Sequence, residues 1–181
     1  MTNPFARLGL PESLLLDPAS VEDAWRDLRR DGKTDEEAEA SGNRARTLLS
    51  DPVSRLAAWL DLKAPDAAPD RAVAPELMDL FANIGPVLAS TDTLLARHRK
   101  ATTALARAVL AKEAVAAQLG VQGLLQEIQP LKAALTERFP EFERDAASGE
   151  FAGSLRALGQ LKFLKRWEEQ CRERLLALLS T

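Results

Sequence analysis

Valine and isoleucine together occur only nine times in the chain and tyrosine never, whereas leucine and alanine occur 31 times each. Sheets draw on β-branched and aromatic side chains, while Leu and Ala are among the best helix formers. The sequence therefore predicts an all-α fold. Of 181 residues, 46% are hydrophobic and 28% charged. That balance suits one globular domain or two small ones, and excludes both a disordered chain and one embedded in a bilayer.

A formal charge of −3 leaves no net positive field for gripping phosphate backbones, so nucleic acid is not an expected partner. The lone Cys171 forms no internal disulfide, and with His98 as the one histidine there is no Cys/His set for zinc or a cluster. No cofactor is expected. The opening MTNPFARLGLPESLLLDP has one early arginine and a broken apolar stretch, unlike a secretory signal. No run approaches about 18 uninterrupted apolar residues. The expectation is a cytoplasmic protein with no membrane partner.

Punctuation divides the chain. Between 63 and 75, KAPDAAPDRAVAP sets Pro65, Pro69 and Pro75 among small and acidic residues, which predicts a linker between a unit at 1–62 and a helical bundle at 76–181. In the first unit, Asp17 and Pro18 read as N-cap and first helical residue, with Val21, Ala24, Trp25 and Leu28 on one face. The opposite face carries Arg26, Arg29 and Arg30 among acids. Thr34 and Glu37 have capping-box spacing, and Ser50-Asp51-Pro52 ends that second helix and opens a third through Leu56, Trp59 and Leu60. PFARLGLP reads as a short turn at the edge. Downstream, Gly85-Pro86, Gly120 and Gly149 predict breaks between long helices, three or four in all, with breaks or kinks at Pro130 and Pro140.

This order of parts resembles the J-type co-chaperones of iron-sulfur cluster assembly, the HscB family. The residues that carry the resemblance are PFARLGLP, AWRDLRRDGKTD, NRARTLLSDPVSRLAAWL and ELMDLF, then FAGSLRALGQLKFLKRWEEQCRERLLALL near the C-terminus. It covers residues 4–62 and 150–179, and between 84 and 148 the chain reads as longer than the family. The resemblance implies a J-domain-like helical hairpin followed by a scaffold- or client-binding bundle. It also implies a DnaK-class chaperone as partner, met by Arg26, Arg29, Arg30 and Asp35. The family's His-Pro-Asp loop falls on Lys33-Thr34-Asp35, where only the aspartate is kept. Lysine lacks the imidazole, and threonine lacks the fixed φ of proline. The implied activity is thus a degenerate J motif with weak or lost ATPase stimulation.

By the same resemblance Leu77, Phe81 and Phe163 belong to an exposed apolar patch that holds an iron-sulfur scaffold or another client. Periodicity alone favours them as bundle core. Three readings stay open: a degenerate adaptor, a fully working co-chaperone, or an interaction module unrelated to cluster assembly. An enzyme is not expected. His98 sits among Arg97, Arg99 and Lys100 with no orienting carboxylate next to it, and that run reads as a solvated helical turn.

Overall fold

A computed structural model describes residues 3–30, 36–68 and 75–180. Their regular elements are all helices, with no strand among them: α1 (Pro4–Arg7), α2 (Pro18–Arg30), α3 (Glu36–Ser50), α4 (Pro52–Lys63), a 3-10 turn (Pro75–Leu77), α5 (Met78–Lys100), α6 (Ala104–Glu137), α7 (Phe139–Ala147) and α8 (Ala152–Leu179). The all-α expectation holds, with a helical hairpin at the N-terminal side and three long helices after it.

The chain divides into two compact units. The first comprises residues 1–71 together with 135–159, and the second comprises 72–134 together with 160–181. The sequence placed all of 76–181 in one bundle; residues 135–159 instead pack with the N-terminal segment. Of the expected linker, 63 closes α4 and 69–74 lie outside the described residues.

Local chemistry explains the first unit. Asn3 caps α1 by accepting from the Phe5 and Ala6 amides, and the Asp17 side chain accepts from the Ala19 amide at 3.0 Å. Asp51 caps α4, accepting from the Ser54 amide at 2.9 Å and the Ser54 hydroxyl at 2.6 Å, with Pro52 in the first turn. Where α2 meets α3, a β-carbon on Gly42 would stand 2.9 Å from Leu28 Cδ2, so the glycine permits the close approach of the two helices. Phe5, Val21, Leu49, Leu56 and Trp59 are buried, and Phe139 and Phe142 of α7 are buried in the same unit. The Trp59 and Phe151 rings stand 6.2 Å apart. Glu143 of α7 accepts from the Ser13 hydroxyl at 2.8 Å and the Leu14 amide at 2.6 Å, stitching the late segment to the early one.

In the second unit α5, the 104–134 part of α6 and the 160–179 part of α8 form a three-helix bundle. Arg97 of α5 pairs with Glu113 of α6, Arg174 of α8 with Asp92 of α5, and Glu168 of α8 with Lys132 of α6. Leu94, Leu110 and Leu178 close one end. Two expected breaks are corrected here, at Gly85-Pro86 and Gly120, and Pro130 does not end its helix. α5 runs through Gly85-Pro86, and α6 through Gly120 and Pro130. Each proline frees the carbonyl four residues earlier, of Ala82 and Gln126, and both of those residues are exposed, where solvent can stand in for the lost amide. Pro140 and Gly149 punctuate as expected: Pro140 sits in the first turn of α7, and Gly149 takes φ +80° between α7 and α8.

Because residues 135–159 belong to the first unit, one tryptic cut after Arg71 is expected to leave the two fragments associated. Gel filtration of the nicked protein should give the intact mass. Separation without denaturant would show that 1–71 does not depend on 135–159.

Candidate functional site

Two surfaces hold the residues expected to meet partners. On α2, Arg26, Arg29 and Arg30 are exposed, and each has an acidic neighbour: Arg26 pairs with Asp23 at 3.1 Å, Arg30 with Asp27 at 2.9 Å and Arg29 with Glu39 of α3 at 3.4 Å. Such exposed pairs contribute little, so each guanidinium can exchange its carboxylate for one on a partner at small cost. Trp25 anchors the base of this face. Its Nε1 donates to Asn43 at 2.9 Å, and the Arg29 and Arg46 guanidinium groups stand 5.1 and 4.4 Å from its ring centroid. Lys33, Thr34 and Asp35 lie outside the described residues.

The second surface is aromatic. Phe81 of α5 is 54% exposed and Phe163 of α8 is 36% exposed. Both rings lean on Trp167, at centroid distances of 5.9 and 6.1 Å, with tilted planes. Trp167 is itself buried and serves as the floor of the patch. Met78, three residues before Phe81 on the same helix, is 53% exposed and extends the apolar surface. Leu77 does not join it. Its expected place at the surface is corrected: it is buried, in the 3-10 turn before α5. In the KFLKR segment Leu164 points inward, while Lys162 and Arg166 stay exposed beside Phe163. The patch is therefore aromatic with a basic rim on the α8 side.

Behind Trp167 lies Glu168, a buried carboxylate. Gln129 donates to it at 3.0 Å, and Lys132 and Arg172 pair with it. Burial pushes its carboxyl up, but the Lys132 and Gln129 hydrogen bonds and the Lys132 and Arg172 charges together hold it below the ordinary range. A depressed carboxylate stabilises the fold above its unfolded pKa, and that contribution is lost as pH falls through the lower folded value. Acid unfolding of the wild type is thus expected to steepen below about pH 4.5 relative to Glu168→Gln. Parallel pH profiles of the denaturation midpoint would contradict this.

Sequence reasoning overlooked Trp167 and Met78. Trp167 stands four residues after Phe163, one helical turn away, and that spacing was the available signal. His98 sits in the last turn of α5 and lines a shallow cleft with Arg107 and Leu178, away from the aromatic patch. Among the described residues no three of His, Cys, Asp and Glu converge as metal ligands.

No family model matches the chain, and no curated protein matches it by sequence. Among solved structures, the chaperone HscB from Vibrio cholerae superposes with a TM-score of 0.57 at 15% identity, over 95% of this chain and 96% of that one. The match extends over nearly the whole of both chains. The chain has an HscB-like all-α fold.

Proposed function

We propose that this protein is a J-type adaptor of the iron-sulfur assembly kind. It captures a cluster scaffold, or another client, on the aromatic patch and gives little or no stimulation of a DnaK-class ATPase. The observation that carries the reading is the exposed pair Phe81 and Phe163 seated on Trp167, within a fold like that of a chaperone. Large apolar rings held rigid at the surface are what a partner site requires, because a firm floor lowers the entropy lost on binding. The rim of Lys162 and Arg166 suits a partner whose apolar ridge is flanked by acids. On the other unit the arginine face of α2 supplies a site for a DnaK-class chaperone, while Lys33-Thr34 replaces the two residues that define the J loop. The reading places the protein in the cytoplasm.

Single-turnover ATP hydrolysis by a DnaK-class chaperone tests it. The wild-type protein is expected to change the rate by less than about twofold, since the loop lacks both the imidazole and the fixed φ. Lys33→His with Thr34→Pro is expected to raise stimulation. Stimulation of about tenfold or more by the wild type, abolished by Asp35→Asn, would instead establish a fully working co-chaperone.

A further inference from the structure

α6 turns Leu110, Val121, Leu124 and Ile128 inward, yet its opposite side is not polar. Leu105, Val109, Val115 and Leu119 are 77, 54, 59 and 64% exposed. The outward residues recur at alternating steps of four and three, through 105, 109, 112, 116, 119, 123, 126 and 130, the spacing of a helix that seats against another helix. This side is also polarised along its length. The first half carries Leu105, Val109 and Leu119 with Lys112; the second carries Gly123, Gln126 and Pro130, with Glu127 and Ala134 on its flank. A β-carbon added at Gly123 would meet no atom within 4 Å, so nothing inside the chain calls for a glycine there, although mid-helix glycine weakens a helix relative to alanine.

We propose that this face of α6 pairs antiparallel with the same face of a second copy of the chain, about a two-fold axis near residues 119 and 120. That register sets Lys112 opposite the partner's Glu127 twice over, with Leu105 over the partner's Ala134 and Leu119 beside the space left by the partner's Gly123. A parallel pairing would oppose Lys112 to Lys112 and leucine to leucine. A two-fold interface must be self-complementary, and a face cationic towards one end and anionic towards the other has that property in the antiparallel sense alone. Lys112 and Glu127 are exposed and have no ion pair among the described residues, which leaves both charges free for the partner. A stable specific interface buries on the order of 1,200 Å² or more in all, and the exposed side of α6 extends over residues 105–130. The surface is separate from the aromatic patch and does not depend on the functional reading above.

Sedimentation of the full chain across a concentration series is expected to show a species of twice 19.8 kDa. Gly123→Leu, and separately Lys112→Glu, should each weaken association by at least about tenfold. Lys112→Glu with Glu127→Lys should restore it. Chains carrying Lys112→Cys, mixed with chains carrying Glu127→Cys, should form a disulfide heterodimer, whereas Lys112→Cys alone should not crosslink; the native Cys171 is fully buried and does not interfere. A monomer mass at every concentration overturns the proposal, whatever else then meets the face. So does a dimer indifferent to Gly123→Leu and to charge reversal, or self-crosslinking of Lys112→Cys.

Discussion

A chain carrying Phe81→Ala and Phe163→Ala together is expected to lose capture of a cluster-scaffold protein by at least about a hundredfold, while melting within about 2 °C of the wild type. The two expectations come from one geometry. Both rings lie at the surface, so removing them opens no closed cavity and the transfer cost to the fold is small. In a complex the same rings are covered, and buried aromatic anchors are where binding energy concentrates. Leu77→Ala is the matched control. As a buried side chain it is expected to cost about 2–5 kcal/mol of stability and to leave capture by the folded fraction unchanged. Pull-down titration and calorimetric melting distinguish the cases. If each phenylalanine variant melts far lower and binds as before, the rings are core and the patch is no client site.

The second large effect is expected at Arg55. This arginine of α4 is 6% exposed, and its Nη1 donates to the carbonyls of Leu16 at 3.0 Å and Leu49 at 3.1 Å. One carbonyl belongs to the strap before α2 and the other to the last turn of α3, where helix carbonyls lack intrahelical donors. Burial lowers the guanidinium pKa, partly countered by Asp51, yet it remains a cation. Arg55→Met keeps the apolar stem and abandons both carbonyls, a loss of about 3 kcal/mol and a fall in melting temperature of about 10 °C. Arg55→Lys, with one donor group on a flexible stem, should fall between. A methionine variant melting with the wild type would show that water serves those carbonyls equally well.

Arg55 also shows how far the sequence could be read. Within SDPVSRLAAWL the helix end near Ser50-Asp51 and the start at Pro52 followed from the local restriction proline imposes, and the structure bears them out, with Asp51 found as the cap. That the arginine three residues on is a buried bracket depends on Leu16, 39 residues earlier, and no local pattern announces it. The same division runs through the chain. Asp17, Pro140 and Gly149 mark ends because their effect is confined to one turn. Gly85-Pro86 misleads as a helix end because the cost of an interrupted helix bond can be met by solvent when the freed carbonyl faces outward, and facing is a tertiary property. At the candidate site, Phe81 and Phe163 were legible through resemblance. Leu77 was not, because the four-residue rule assumes one continuous α-helix, and Leu77 stands in a 3-10 turn where that angle does not apply.

The bond from Glu143 back to Ser13 and Leu14 has a consequence for how the protein is made. Ribosomes extend chains from the N-terminus at about 5–20 residues per second, so roughly ten seconds separate the appearance of residue 71 from that of residue 159. Through that interval α2, α3 and α4 exist without Phe139, Phe142 and Phe151 of the same unit, and Trp59 waits without the Phe151 ring it meets in the fold. Nascent chains stalled before residue 135 should therefore be bound by general holdase chaperones and be open to protease. Chains stalled late enough to free residue 159 from the exit tunnel should be released and protected.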